Sequence, residues 1–354
     1  MKKPILIHLY NDRSGSPKIL SQVAETLELN GIEYEIITSS HKYGFLNERK
    51  GKKTTVFYKR SENKIVTLAY YLACQLHLFL ICLKYYNKDV QFYINTMMPA
   101  GAAIAAGIIR KDVIFHIHET SVEPKILKKT LRLVIKIFSK KIIFVSNYLS
   151  RKEKFNNKTQ IVVRNAITSK GITQKKINSR FIVIMACSLK TYKGIFELIE
   201  IARITSSHKK IEFQLIINAD NDEIKNYIGE ISIPVNLKIF PRQQDLHLFY
   251  SNSDLILNLS RPDQCIETFG LTIVEAMSYG IPAIAPPVGG PAEIVEDKKN
   301  GYLISCYDTD LISQKIIEIA DNQELQMYLR KNSLEKFKEF DIDTFRTTIL
   351  NILK

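Results

Sequence analysis

Short apolar segments alternate with helical stretches along most of this chain, and that alternation constrains the fold more than any other feature. In the first half, we predict strands at residues 5–10, 33–38, 54–58, 90–95, 113–118, 142–145 and 161–163. In the second half, strands are predicted at residues 181–186, 213–217, 236–240, 255–258, 281–285 and 301–304. Because helices separate most of the strands, the pattern predicts an α/β fold with doubly wound, mostly parallel sheets.

The alternation is interrupted by a polar and poorly periodic stretch at residues 164–180. The chain has 354 residues, and at roughly 150 residues per domain this length predicts about two domains. We expect an N-terminal Rossmann-like domain at residues 1–165, a C-terminal one at 166–335, and a C-terminal helix at 336–354 that packs back on the first domain. Ligands of such sheets bind at the carboxyl ends of strands, so the expected site is a central cleft that both domains face.

The net charge of the chain points to an anionic partner. The formal charge is +14, which favours nucleic acid, a membrane surface or phosphorylated ligands without choosing among them. The five cysteines are odd in number and contain no C-x-x-C pair, so neither a disulfide framework nor a zinc knuckle is predicted. This cysteine usage and a first apolar run that resembles a buried strand rather than a signal peptide predict a cytoplasmic protein.

The segment from Ile65 to Leu83 is the one apolar stretch long enough to raise the question of a membrane span. A spanning helix needs about 20 predominantly apolar residues, and this segment approaches that length. The alternative is a buried helix of an α/β layer, which is apolar on most faces. Gln75 and His77 interrupt the segment, and the strand–helix alternation continues directly after it. The sequence therefore favours the buried helix.

A second helical stretch is basic and amphipathic. Its cations are Lys125, Lys128, Lys129, Arg132, Lys136, Lys140 and Lys141, and apolar residues lie between them. One interpretation is a surface helix docked by its apolar side with solvated lysines, and the other is a face for an anionic membrane. In the second interpretation the membrane face is formed by Lys125, Lys128, Lys129, Arg132 and Lys136. Nucleic acid is the least favoured partner, because no recognition module is visible.

Chemistry-bearing residues are concentrated at positions 254–304. A predicted strand leads into a polar loop that ends at Glu267, and the helix that follows ends at Gly280 with Pro282 just beyond. Glu275 lies within the first turns of this helix. The backbone N–H groups of residues 269–271 then stand at a helix N-terminus, which is a ready anion site. The alternative is purely structural, with Glu267 as a helix cap and Glu275 solvated.

The same stretch resembles a known family. It reads E-T-F-G-L-x-x-x-E-A-M-x-x-G-x-P, then G-G-x-x-E-I-V, then N-G-Y-L-I, and this pattern is similar to the C-terminal signature of retaining glycosyltransferases of family 4, the group 1 nucleotide-sugar enzymes with the GT-B fold. Weaker similarities extend over both halves. They lie at residues 13–17, 115–119, 144–148, 162–167 and 188–194.

The resemblance implies an enzyme that transfers a hexose-type sugar from a nucleotide-diphosphate sugar to a glycan, with retention of configuration and without a metal ion or cofactor. It further implies a lipid-linked acceptor, a role in bacterial surface polysaccharide or lipopolysaccharide synthesis, and a peripheral location on the inner face of the cytoplasmic membrane. A non-catalytic nucleotide-sugar-binding scaffold of the same fold is the alternative function.

The resemblance also implies roles for individual residues. Lys193 and the backbone at 269–271 would stabilise charge on the diphosphate, Glu267 would contact hydroxyls of the donor sugar, and His118 would reach that sugar from the other domain. Glu275 would hold the ribose. The expected catalytic residues are thus Glu267, His118 and Lys193, and the donor-binding residues are Gly15, Arg164, Lys190, Phe269, Gly270, Leu271 and Glu275.

The chain departs from the family pattern at one functional position. Many relatives carry Gly-Arg where this chain has Cys187-Ser188, and Ser188 cannot replace the arginine that pairs with the lysine on the diphosphate. Lys190 is the nearest substitute, and Arg13 or Arg164 are alternatives. We then expect one of two consequences. Either Lys193 neutralises more of the diphosphate charge, or the site binds the diphosphate more weakly.

Three other chemistries are disfavoured by the residues. His116, His118 and Glu119 share a strand end, but no motif supplies the distant partner that a metal site needs. A G-x-G-x-x-G fingerprint does not occur, which argues against a nicotinamide cofactor. By analogy with glycoside hydrolases, which use a pair of carboxylates, Glu267 would act as a nucleophile. The family resemblance instead favours a front-face attack in which Glu267 positions the donor.

Overall fold

The computed structural model describes residues 1–39, 43–59, 61–168 and 180–354 of the chain. These residues form two compact units, one made of Met1–Ala166 with Ile342–Lys354 and the other of Ile167–Asp341. Most of the polar stretch interpreted as an interdomain connection, residues 169–179, lies outside the described residues.

The first unit is built on a parallel sheet of seven strands in the order β3-β2-β1-β4-β5-β6-β7. The strands are β1 (Lys3–His8), β2 (Glu35–Ser39), β3 (Lys52–Val56), β4 (Val90–Asn95), β5 (Val113–Ile117), β6 (Lys141–Phe144) and β7 (Thr159–Val162). The helices are α1 (Gly15–Leu29), α2 (Lys64–Leu83), α3 (Ala100–Ile108), α4 (Lys125–Phe138) and α5 (Asn147–Lys152).

The second unit is built on a parallel sheet of six strands in the order β10-β9-β8-β11-β12-β13. The strands are β8 (Phe181–Cys187), β9 (Ile211–Ile217), β10 (Leu237–Phe240), β11 (Leu255–Leu257), β12 (Ala283–Ala285) and β13 (Gly301–Leu303). The helices are α6 (Ile195–Ile204), α7 (Asn221–Ile228), α8 (His247–Asn252), α9 (Leu271–Met277), α10 (Pro291–Ile294), α11 (Thr309–Asp321) and α12 (Gln323–Phe337), and α13 (Ile342–Leu353) follows as part of the first unit.

The central strands of both sheets are continuous apolar runs because they are covered on both faces. In β1, Ile5, Leu6 and Ile7 are fully buried, and in β11 Leu255 and Ile256 are fully buried as well. Each strand predicted from these runs is present, with ends shifted by at most a few residues. The prediction of doubly wound parallel sheets is confirmed.

The expected boundary before residue 336 differs from the division in the structure. Helix α12 continues through Phe337, and the second unit extends to Asp341, where the chain turns into α13. In the first unit, α13 packs against α1 and buries Phe345, Ile349 and Ile352. The boundary follows this change of packing partner, which leaves no mark on the hydrophobic pattern of the sequence.

Helix α2 corrects a second prediction, that residues 65–83 form a buried helix. Among the described residues, this is the one helix long and apolar enough to cross a membrane, with a mean hydropathy of 1.9, yet only 22% of that stretch is buried. The helix packs against α3, where a Cβ on Gly101 would lie 2.1 Å from the Gln75 carbonyl oxygen. One side of α2 therefore contacts α3 closely, while much of the rest of its surface is exposed.

Candidate functional site

The candidate residues of the second unit lie in two loops beyond the carboxyl ends of neighbouring strands. β8 ends at Cys187 and leads through a short 3-10 turn to Lys193, and β11 ends at Leu257 before the loop that carries Glu267. Because β8 and β11 are adjacent in the sheet, the two loops meet. Lys193 Nζ is 3.1 Å from Glu267 Oε2.

Glu267 is held by three donors on a single oxygen. Its Oε2 atom accepts hydrogen bonds from Lys193 Nζ at 3.1 Å, Asn258 Nδ2 at 2.9 Å and Ser260 Oγ at 2.9 Å. Burial alone would raise the pKa of Glu267, but the charge of Lys193 and these hydrogen bonds lower it below its ordinary value. Burial would lower the pKa of Lys193, but Glu267 raises it. The site therefore holds a charged ion pair.

Two glycines let the loops of this site approach one another. Gly194 has a φ of +78°, and a Cβ at this position would lie 2.2 Å from the Leu259 carbonyl oxygen. Gly290 has an ordinary helical φ of −63°, but a Cβ there would lie 2.2 Å from Phe269 Cα. Gly290 also donates its backbone N–H to the Glu267 carbonyl at 2.8 Å. The glycines thus place backbone against backbone where a side chain would separate the loops.

Glu275 is not the solvated carboxylate of the structural alternative. It lies on α9 and is partly buried, and Tyr250 on α8 donates its hydroxyl to Glu275 Oε2 at 3.0 Å. Burial, and then the charge of Glu275 and this hydrogen bond, raise the pKa of Tyr250 well above its ordinary value. Tyr250 is therefore a neutral donor that orients the carboxylate expected to hold a ribose.

The remaining residues of this unit that were predicted to bind the donor lie in the same loops. Phe269 is buried, Gly270 has a φ of +106°, and Leu271 begins α9. Lys190 is exposed, and its backbone N–H donates to the Ser188 carbonyl at 2.8 Å. The structure does not bring the Lys190 side chain into the Lys193–Glu267 pair.

Sequence reasoning missed one arginine beside these loops. Arg261 donates its backbone N–H to the Tyr192 carbonyl at 2.8 Å, which places it next to the turn that carries Lys193. Its guanidinium Nε donates to Glu197 on α6 at 2.6 Å. Arg261 follows the Asn258–Ser260 segment directly, so its position after a strand end was the available signal.

In the first unit, His118 stands one residue beyond β5 and contacts Asn95 at the end of β4. His118 Nε2 lies 2.8 Å from Asn95 Oδ1, and Asn95 Nδ2 donates to the Ser16 carbonyl in the first turn of α1 at 3.1 Å. Burial, followed by the charges of His116 and His8, lowers the pKa of His118 well below its ordinary value. His118 is therefore neutral, and Asn95, which sequence reasoning missed, ties it to the loop that contains Gly15.

The side chains next to His118 are occupied by other partners. His116 is fully buried and its Nδ1 lies 2.8 Å from the Tyr93 hydroxyl, and burial lowers its pKa to about 3. Glu119 accepts backbone N–H groups from Met97 at 2.6 Å and His118 at 3.1 Å, and burial raises its pKa to about 7. Within the described ranges, no group of three His, Cys, Asp or Glu side chains is arranged to hold a metal ion.

Gly15 and Arg164 also belong to the first unit. Gly15 is the first residue of α1, directly after the N-cap Ser14, and Arg164 follows β7 and is partly buried. Gly15, Arg164 and His118 are thus in the first unit, and the other predicted catalytic and donor-binding residues are in the second.

The predicted membrane face on α4 needs a correction. Lys128 and Arg132 both form ion pairs with Glu153, a buried carboxylate at the end of α5, and the Arg132 guanidinium also stacks over the Phe155 ring. These two cations attach α4 to its own unit, because a buried carboxylate requires a partner. Lys125, Lys129 and Lys136 are exposed.

Comparison with solved structures defines the class of fold. The crystal structure of HepE from Anabaena in complex with UDP and glucose has a TM-score of 0.80 to this chain at 18% identity, and the match covers 100% of this chain and 99% of that chain. Together with the two parallel sheets, this likeness identifies the GT-B fold.

Sequence comparison then points to a family. Residues 170–336, just under half of the chain, match the family model described as "Glycosyl transferases group 1". The N-acetyl-alpha-D-glucosaminyl L-malate synthase of Bacillus anthracis is 25% identical over 69% of this chain and 58% of that protein. Sucrose-phosphate synthase 4 of Arabidopsis thaliana is 39% identical over 21% of this chain and 7% of that protein.

The chain therefore spans less than two thirds of the length of these two curated relatives. The fold and the family match together support a group 1 glycosyltransferase.

Proposed function

We propose that this chain is a retaining, family 4 glycosyltransferase that moves a hexose-type sugar from a nucleotide-diphosphate donor to a glycan acceptor. The observation that carries the proposal is the partly buried Lys193–Glu267 pair in the second unit, whose side chains are 22% and 21% exposed. An ion pair that solvent still reaches contributes little to stability, because it is screened and because holding two side chains in one geometry costs entropy. A cation and a carboxylate fixed at adjacent strand ends are suited to binding a diphosphate and sugar hydroxyls.

The proposed role of Lys193 is to stabilise the negative charge of the leaving phosphate. When the bond between the anomeric carbon and the β-phosphate oxygen breaks, negative charge accumulates on that oxygen and the sugar gains oxocarbenium character. A preorganised cation stabilises such developing charge more than it stabilises the ground state. Lys193 stays protonated because Glu267 raises its pKa, so it is charged when the phosphate leaves.

Glu267 is proposed to position the donor rather than to attack it. Its Oε2 atom already accepts three hydrogen bonds, one from an ammonium, and a carboxylate so neutralised is a poor nucleophile. In the front-face path, the acceptor hydroxyl oxygen bonds to the anomeric carbon as the phosphate oxygen leaves, and the hydroxyl proton passes to that phosphate. Mass spectrometry that trapped a sugar ester on Glu267 would contradict this path.

Glu275 and His118 complete the proposed donor machinery. Glu275, oriented by the Tyr250 hydroxyl, is proposed to accept hydrogen bonds from ribose hydroxyls. His118 is neutral, so it can exchange hydrogen bonds with sugar hydroxyls without adding a charge. We propose that no cofactor and no metal ion takes part, and transfer that continues in EDTA would support this.

A donor screen tests the function. A ligand that binds the folded state raises the unfolding temperature in proportion to ln(1 + [L]/Kd), so UDP-, GDP- and ADP-sugars are compared by thermal shift. The matching donor is then incubated with acceptor glycans, and both the glycoside and the nucleoside diphosphate are measured. Stabilisation by a nucleotide sugar without turnover on any acceptor would favour the non-catalytic scaffold.

We further propose that the acceptor is lipid-linked, that it belongs to surface polysaccharide or lipopolysaccharide synthesis, and that the protein is peripheral on the cytoplasmic membrane. The exposed cations of α4, Lys125, Lys129 and Lys136, support an anionic membrane as partner. The check compares a lipid-linked acceptor in anionic vesicles with its water-soluble glycan. A lower KM for the vesicle-bound acceptor is expected, and equal values would contradict the membrane location.

A further inference from the structure

Helix α2 exposes a continuous apolar face. Its outward residues recur at intervals of three or four, which places them on one side of the helix. The face consists of Ile65, Leu68, Leu72, Leu76 and Leu80, each exposed by between 43% and 78%. Soluble proteins rarely leave an extended apolar patch uncovered unless it meets a membrane or a partner.

The helix lies along the protein rather than crossing a bilayer. Strand β3 precedes α2 and strand β4 follows it, and both belong to the same sheet, joined through β2 and β1. A span would require β3 and β4 to lie on opposite sides of a membrane. The apolar face can therefore enter only one side of a bilayer, as an interfacial helix does.

The exposed face of α4 adds positive charge on the same side of the sheet. α2 packs against α3 and α3 against α4, and all three are crossovers of the same hand between strands that advance in one direction. On the outer face of α4, the exposed residues Ile126, Leu133 and Ile137 alternate with Lys129 and Lys136. This side of the first unit thus presents an apolar stripe on α2 and, across α3, a stripe on α4 that is both apolar and cationic.

We propose that α2 and α4 together form a docking surface for an anionic lipid bilayer, with the α2 stripe in the interface and the α4 lysines on lipid headgroups. The proposal deepens the membrane location proposed above, on which it rests, by assigning the residues that make it. It differs from a purely electrostatic α4 face, because the apolar stripe of α2 supplies the apolar contact.

The positive charge of this surface favours an anionic bilayer over a second copy of the chain as its partner. A two-fold dimer through this side would place the same patch on both subunits. Such a dimer would bring the exposed α4 lysines of each copy towards those of the other, in a chain whose formal charge is already +14. Anionic headgroups complement the lysines that a second copy would repel.

The test measures sedimentation of the full chain with phosphatidylcholine vesicles that contain or lack phosphatidylglycerol. Leu76→Glu places a charge in the α2 stripe, and we expect its partitioning onto anionic vesicles to fall at least about tenfold, because a carboxylate resists entering the interface. Val235→Glu is the matched control, since Val235 is 95% exposed in the second unit. It adds the same charge and should bind as the unmodified chain does.

A second variant tests α4. Lys129→Gln with Lys136→Gln should reduce the preference for phosphatidylglycerol vesicles and the sensitivity of binding to salt. Circular dichroism and thermal unfolding confirm that each variant is folded, which is expected because all the changed residues are exposed. Leu76→Glu that sediments like the unmodified chain would overturn the proposal.

Two further measurements separate the alternatives. Sedimentation velocity without vesicles identifies a dimer, and a dimer that Leu76→Glu dissociates would overturn the bilayer as occupant. Turnover of a water-soluble acceptor should be unchanged in Leu76→Glu. Absence of turnover in the unmodified chain would count against the glycosyltransferase function, whereas loss of vesicle binding counts only against the docking surface.

Discussion

At the residue scale, the properties of the candidate site depend on which side chains share their hydrogen bonds. Glu267 keeps its charge although it is partly buried, because Lys193, Asn258 and Ser260 all donate to it. Removing one member of such a group leaves the others partly buried and incompletely paired, which costs free energy. Substitutions here are therefore expected to affect chemistry and stability together.

Lys193→Ala is expected to lower kcat/KM at least about tenfold, because a preorganised cation at a developing negative charge supplies several kcal/mol of transition-state stabilisation. Steady-state kinetics with the donor identified by thermal shift measures the effect. Lys331→Ala, an exposed lysine on α12, is the control and should leave kcat/KM unchanged. Near-normal turnover in Lys193→Ala would remove Lys193 from the proposed mechanism.

Asn95 is expected to act through His118. Its Oδ1 atom lies 2.8 Å from His118 Nε2, so Asn95→Ala frees the ring to adopt other orientations and should lower kcat more than it raises KM. In a double-mutant cycle, Asn95→Ala with His118→Ala should be no slower than His118→Ala alone, because both changes remove one function. Additive losses of activity would show that Asn95 has only a structural role.

At the element scale, close contacts between loop backbones assemble the second unit's site. The turn that carries Lys193 reaches the end of β11 through Gly194, and the turn before α10 reaches the Glu267 loop through Gly290. Both contacts join segments that are distant in sequence, and both would be blocked by a single methyl group. The loops are thus positioned by main-chain packing as much as by side chains.

Gly290→Ala is expected to destabilise the fold by about 1–3 kcal/mol, the usual cost of overpacking, and to weaken donor binding. The φ of Gly290 is −63°, so alanine is not strained there and the effect comes from the clash with the backbone of Thr268 and Phe269. Urea unfolding and donor titration measure the two effects. Gly31→Ala is the control: its φ is +64° with open space around it, so it should cost backbone strain but leave donor affinity unchanged.

At the scale of the whole molecule, the C-terminal segment Ile342–Lys354 belongs to the first unit. Helix α13 packs on α1, Gln91 Nε2 donates to the Leu353 carbonyl at 2.6 Å, and Lys141 Nζ donates to the Ile352 carbonyl at 2.6 Å. Arg346 also lies 3.3 Å from Glu25 on α1. These contacts make the last helix a structural part of the first unit.

Phe345→Ala is expected to destabilise the first unit by about 3–5 kcal/mol, the usual cost of truncating a buried phenylalanine, since Phe345 is only 3% exposed. Calorimetry should show a lower unfolding temperature, and a nucleotide sugar that binds the second unit should still be bound. Thr347→Ala, a change at an exposed position of α13, is the control. An unfolding temperature equal to that of the control would contradict the assigned packing.

Predictability from sequence differed among the features of this protein. The strands and the Glu267 loop were predictable because buried parallel strands are continuous apolar runs and because glycines, prolines and acids recur at local spacings. The interactions of Lys128 and Arg132 were not, since their partner Glu153 lies on another element. The exposure of α2 was missed because an apolar helix has the same composition whether or not another layer covers it.

The sequence by itself determined the fold class and the residue types at the strand ends, because hydrophobic periodicity and turn chemistry are local properties of the chain. Tertiary structure alone decided which of those residues meet: Lys193 with Glu267, and His118 with Asn95. It also decided which apolar helix remains exposed. Each of these outcomes depends on contacts between segments far apart in sequence, and such contacts exist only after the crossover connections have placed strands and helices side by side.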